Sequence, residues 1–426
     1  MTAHTRHTHR RGQRAFTLVE LMVALTGGLF VSVMVFTLAK DGSRFYMRES
    51  RISDATLASV SGFERLRSDL SRISFLASSN VRFDAANGRL CGNPITDNTW
   101  PAGLRRLAGL RIQPATPTPN AALAANGLAP DSILIAGNFT GVDVFPMVGV
   151  QVTGTGYRVD LQKRIGPLMR LDYDSKDSAA QALILKDLFR KGTALRIVDS
   201  SGTVQYGTIA DTNTVGGPAV LLSLTPNLRM RGSSSTLCGL NALSDGYVNV
   251  VNFVEYQVRA LDRTAATGYE NLYTAGATPW DANRTELVRR ELDVTGTPIA
   301  GTEEIAAEYA VDMRFGLTVV QTFVGNMPSL LATVPAGNAA IPNWAGDITT
   351  TASGATQGPQ FVRGLRVRLA IRSREPDRDL NIAGAATGPV APGLYRFSLA
   401  ANGASQFARV RTLQADIALH NQTGNR

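Results

Sequence analysis

Histidine limits the chemistry first. The 426-residue chain has four, of which His4, His7 and His9 sit in the first ten residues and only His420 lies beyond them. A serine or cysteine nucleophile needs a base beside it, so a hydrolytic triad here depends on a single histidine close to the C-terminus. The phosphate-binding pattern G-x-x-x-x-G-K-[ST] and the nucleophile elbow G-x-S-x-G do not occur. Asp172, Asp174 and Asp177 approach calcium-loop spacing, but Lys176 intrudes, and the turn glycine and terminal glutamate are missing. Glu303-Glu304 and Asp377-Asp379 read as ordinary loop charges, and the early histidines as a tail. The expectation is a protein that is not an enzyme, with no metal and no cofactor.

One carboxylate stands apart because of where it lies. Glu20 falls inside an apolar run from Phe16 to Ala39, and from Leu21 to Ala39 no residue is charged. At about 1.5 Å per residue the run is long enough to cross a hydrocarbon core of about 30 Å. A carboxylate in such a segment costs up to a few kcal/mol at the membrane centre, less where it reaches the interface. Arg6, Arg10, Arg11 and Arg14 precede the run and favour a cytoplasmic N-terminus, although Lys40, Arg44, Arg48 and Arg51 make the far flank basic too. An ordinary secretory signal, cut after Thr37-Leu38-Ala39, and a simple single-pass anchor are the bland alternatives. The length of the run and Glu20 count against the first.

The residues around Ala15 and Phe16 resemble the type IV pilin family. Its leader ends at a processing site followed by phenylalanine, three apolar or hydroxyl residues and glutamate, matched here by Phe16, Thr17, Leu18, Val19 and Glu20. One departure is Ala15 where the family has glycine before the cut. The resemblance implies cleavage between Ala15 and Phe16 by a prepilin peptidase, methylation of the new amine of Phe16, and pairing of Glu20 with such an amine on a neighbouring subunit. It also implies partners: the membrane, other minor pilins and the major pilin. A large head and an apolar C-terminal stretch Ala415 to Leu419, followed by His420-Asn421, resemble the large minor pilins of the PilW type. A minor pseudopilin of a type II secretion system shares every N-terminal feature, and a membrane-anchored periplasmic binding protein or hydrolase remains a third reading.

Net charge is +9, and without the four leader arginines 39 basic residues face 34 acidic ones. The arginines are spread along the chain, so no nucleic acid partner is expected. The cysteines, Cys91 and Cys238, both lie on the exported side of the apolar run, where a pair is more often bridged than free. They predict a disulfide.

These residues require three segments: a cytoplasmic leader over 1–15, a helix over 16–77, and a head over 78–426 with an inserted lobe near 165–245. The helix is expected because no proline occurs before Pro94 and because Phe63, Leu66, Leu70, Ile73 and Leu76 recur at mostly helical spacing with Glu64, Arg65, Arg67, Asp69 and Arg72 between them. After Asn80 short alternating runs predict strands, most clearly Leu365, Val367, Leu369 and Ile371 against Arg366, Arg368 and Arg372. A short helix from Ser178 to Arg190 is expected with Ser178 as its cap. Loops are expected over 113–120, 334–360 and 381–393. The fold class is α+β, a long N-terminal helix whose first half spans the membrane, then a large antiparallel β-rich head. The expected location is the inner membrane with a periplasmic head, then the pilus.

Overall fold

The computed structural model describes residues 17–92, 94, 96–114, 121–200, 202–230, 239–240, 246–261, 284–324, 327–347, 357–374, 376, 396–399 and 406–422. The fold is the expected α+β: a long apolar N-terminal helix and then a large antiparallel β-rich region. Two compact units divide the chain, residues 1–56 and 57–426. Helix α1 (Leu18–Ser71) belongs to the first unit as far as Thr56 and to the head from Leu57.

α1 ends at Ser71, short of the expected Ala77. Ser74 and Leu76 take left-handed backbone angles, φ 60° and 54°, and break the helix. The apolar stripe outlasts the helix because Ile73, in the following turn, is still buried. Asn80 then caps the short helix α2 (Val81–Ala86), its Oδ1 accepting the N–H groups of Arg82 and Phe83 at 3.1 and 3.3 Å.

Ten strands form the first sheet: β1 (Leu110–Gln113), β2 (Ser132–Gly137), β3 (Phe145–Thr153), β4 (Gly156–Leu161), β5 (Ala194–Asp199), β6 (Val204–Asn213), β7 (Ala219–Ser223), β8 (Gly246–Arg259), β9 (Glu286–Leu292) and β10 (Glu304–Ala307). β8 does two jobs. Its first half, Gly246–Val251, pairs with β5, and Gly246–Val248 pairs with β3 on the other side. The circuit β8-β3-β4-β7-β6-β5 therefore returns to β8 and closes a six-stranded antiparallel barrel. Closure removes the unpaired edges that a sheet of this size otherwise exposes. Met147, Val159, Ile197, Ile209, Leu222 and Val248 share its core with Leu185 and Phe189, from the helix Ser178–Leu188 and the residue after it. Asp177, not Ser178, caps that helix, its Oδ1 accepting the Ala180 N–H at 2.7 Å.

The second half of β8 leaves the barrel and pairs with β2 and β9, making an open wing in the order β1-β2-β8-β9-β10. A separate five-stranded sheet, β12-β11-β13-β15-β14, is built from β11 (Ala310–Val324), β12 (Met327–Val334), β13 (Val362–Arg372), β14 (Arg396–Ser398) and β15 (Phe407–Ala418). Wing, sheet and the end of α1 share one core: Phe63, Leu66 and Leu70 pack with Tyr256, Phe315 and Val367. Burying each large apolar side chain is worth about 1.5–3 kcal/mol. Gly62 allows the helix its closest approach to the wing, since a Cβ there would lie 2.0 Å from the Ala306 carbonyl oxygen.

β13 follows its predicted alternation, with Leu365, Val367, Leu369 and Ile371 buried and Arg366 exposed. Arg372 departs from it. Rather than sharing the wet face, it is buried, with its guanidinium 4.9 Å from the Tyr309 ring centroid and Nη1 donating to the Ser373 and Arg374 carbonyls at 3.0 and 3.2 Å. Aromatic faces and carbonyls replace the lost water.

Candidate assembly segment

Thr17 precedes α1, and its contacts with Glu20 explain why the helix begins at Leu18. The Thr17 N–H donates to Glu20 Oε2 at 3.1 Å and the Thr17 hydroxyl to the same oxygen at 3.0 Å, while the Glu20 N–H donates to Thr17 Oγ1 at 3.3 Å. This is a reciprocal capping box. Its sequence signature is local, Thr-x-x-Glu before an apolar run, and it gives Glu20 a capping role beside those expected from its charge and from the leader pattern. Ala15, Phe16 and the leader histidines lie outside the described residues.

From Leu18 to Ser43 the helix is apolar enough to cross a membrane, with mean hydropathy 2.2, and every side chain is exposed. Three of its hydroxyls are satisfied within the helix. Thr26 Oγ1 donates to the Met22 carbonyl at 2.9 Å, Ser32 Oγ to Gly28 at 2.8 Å and Thr37 Oγ1 to Met34 at 2.8 Å. These three hydroxyls therefore need no water, as a lipid-facing segment requires.

The head anchors the other end of α1 by charge. Asp69, which lies between the apolar residues of the stripe, is buried and accepts from the Tyr256 hydroxyl and from Arg289 Nε, each at 2.8 Å. Arg289 also faces Glu304 at 3.4 Å and Glu291 at 3.7 Å, and Arg65 of α1 reaches Glu304 at 3.6 Å. Burial, with the Asp69 charge beside it, pushes the Tyr256 phenol well above its usual range, so it remains a neutral donor.

The remaining sequence candidates are placed individually. Asp174 pairs with Lys163 at 2.5 Å, Asp172 lies 4.0 Å from Lys176, and Asp177 is used as the helix cap, so three carboxylates that looked like a calcium loop have separate partners. Glu303 pairs with Arg259 and Glu304 joins the Asp69 cluster. Asp377 and Asp379 lie outside the described residues. His420 is exposed on a short 3-10 turn at the end of the chain. Cys91 is buried and disulfide-bonded; Cys238 lies outside the described residues.

A family profile described as the prokaryotic N-terminal methylation motif matches residues 10–26. The chain carries a pilin-like leader. The match covers Arg10, Arg11 and Arg14, the Ala15-Phe16 junction, the capping box and the first turns of the apolar helix, and it implies a substrate for a prepilin peptidase in a membrane or pilus setting. No curated protein and no solved structure matches the chain.

Proposed function

We propose that this chain is a minor pilin of the large, PilW-like kind, a non-enzymatic subunit that helps start or cap a type IV pilus. The methylation motif over residues 10–26 carries this reading. Cleavage before Phe16 exposes a charged amine one residue from the capping box, and the fully exposed apolar helix that follows is stored in lipid until it exchanges lipid for other helices in the filament core. Glu20 supplies specificity, because a carboxylate buried among apolar helices needs a positive partner and the amine of a neighbouring subunit is one.

The size of the head supports a rare subunit rather than a shaft component. Residues 57–426 form one compact unit with a barrel, a wing and a further sheet. Repeating such a mass on every closely spaced helix crowds the outer surface, whereas one copy at an end meets no such limit. Deletion of the gene should reduce pilus number far more than the loss of one component's mass, with the protein strongly substoichiometric in sheared filaments. Normal piliation with defective protein secretion would move the assignment to a minor pseudopilin, and its recovery as the most abundant pilin would reject the initiation role.

A further inference from the structure

The charge-free part of α1 ends at Lys40, yet two large aromatic side chains follow it. Phe45 and Tyr46 continue the helix directly beyond the membrane-length stretch Leu18–Ser43, and they are 67% and 75% exposed. Side chains on a helix lean toward its N-terminus. The two rings are therefore directed back over the last turn of the stretch, toward lipid rather than away from it. A ring with an apolar body, and in Tyr46 a polar tip, suits the boundary between hydrocarbon and headgroups better than it suits water or the bilayer centre.

The other end of the segment sets the scale. Glu20 leans the same way, since its Oε2 accepts the N–H and the hydroxyl of Thr17, one turn nearer the N-terminus. Its carboxylate is thus turned out of the apolar run on the leader side. From Glu20 to Phe45 the helix rises about 37 Å, at about 1.5 Å per residue. That exceeds the hydrocarbon core, about 30 Å, but fits within core and headgroups together, about 40–45 Å. With the aromatic pair at one boundary, the carboxylate reaches the opposite one and avoids the cost of lying in hydrocarbon. Both ends belong to the first compact unit, so the spacing is that of one continuous helix.

We propose that Phe45 and Tyr46 form an interfacial anchor, which docks on the lipid headgroup boundary opposite the leader and thereby holds Glu20 at the headgroup layer on the leader side. Such an anchor presupposes that α1 is stored in lipid, as proposed above, and is independent of which filament the helix later joins.

Depth-dependent fluorescence quenching tests this on the full chain in vesicles of phosphatidylethanolamine and phosphatidylglycerol. The quenchers are lipids brominated near the headgroup, lipids brominated near the chain end, and iodide in the water. Tyr46→Trp puts a probe at the anchor and Val33→Trp one near the midpoint between Glu20 and Phe45, each read against the emission of the parent's own tryptophans. Bromine near the headgroup should quench the Tyr46→Trp signal about twofold more than bromine at the chain end, and the Val33→Trp signal about twofold less. Replacing the pair, Phe45→Ser with Tyr46→Ser, in the Val33→Trp chain frees the helix to slide, and near-headgroup quenching of that signal should rise about twofold. If lipid reaches Val33→Trp while Tyr46→Trp is quenched by iodide alone, the anchor is wrong and storage in lipid stands; if lipid reaches neither, both fail. A Tyr46→Trp signal shielded from lipid and iodide alike marks a neighbouring protein as the occupant. Unchanged quenching of Val33→Trp after the double serine replacement means that the pair fixes no depth. Either of these results overturns the proposal.

Discussion

Asp69 and Arg289 meet 2.8 Å apart inside the head although 220 residues separate them in sequence, and the pair joins α1 to β9. Removing one partner of a buried ion pair strands the other charge, at a cost of about 3–5 kcal/mol. Glu291 and Glu304 stay near Arg289, so the lower end of that range applies. Asp69→Ala should therefore destabilise the head by about 3 kcal/mol in chemical denaturation, and Asp69→Asn, which can still accept from Arg289 and Tyr256, by less. Equal stability of Asp69→Ala and the parent would mean that the pair contributes nothing to fixing the helix.

Thr17 and Glu20 separate capping from assembly. Losing a threonine cap costs about 1 kcal/mol, which fraying of the first turn absorbs, and Thr17→Ala keeps the carboxylate. Glu20→Ala makes the segment more apolar, so membrane insertion should survive while incorporation into filaments is lost. Thr17→Ala should incorporate nearly as the parent does. Equal incorporation of Glu20→Ala and the parent, measured by immunoblot of sheared filaments, would refute the charge pairing.

Glu286 links stability to pH. Burial pushes its carboxyl up to about 7, against the Arg284 guanidinium and the Tyr309 N–H that favour the charged form. The unfolded glutamate titrates near 4.5, so between these values the folded protein holds the proton more tightly. Its contribution is complete below about 4.5 and is lost as pH rises through about 7. This amounts to about 3 kcal/mol. Denaturation at pH 5 and pH 8 should show a larger loss in the parent than in Glu286→Gln; parallel profiles would contradict the assignment.

The same buried charges explain what could be read from the sequence. β13 was legible because Leu365 to Ile371 alternate with arginines across one wet face. β9 was not, because Glu286 and Arg289 look like solvent residues until Arg284 and Asp69 are seen to pair with them. The barrel was illegible for a different reason. Its closure depends on β8 pairing with both β3 and β5, and the first half of β8 is buried on both faces, which erases the alternation that marks a half-exposed strand. At the assembly segment the Phe16 to Glu20 pattern announced the leader, because that signal is local.

Cys91 and Cys238 are expected to be joined to each other. Peptide mapping without reductant should recover the linked pair from protein isolated on the periplasmic side, and reduction should lower stability by about 2–5 kcal/mol. Two thiols that alkylate freely before reduction would reject the bridge.

Processing at the leader is the most direct test. Intact-mass measurement on the protein from the membrane fraction should show loss of residues 1–15 and a mature chain beginning at a methylated Phe16. A chain beginning at Lys40, the product of ordinary signal peptidase, or an uncut chain in cells that process their other pilins, would contradict assembly through the N-terminal helix.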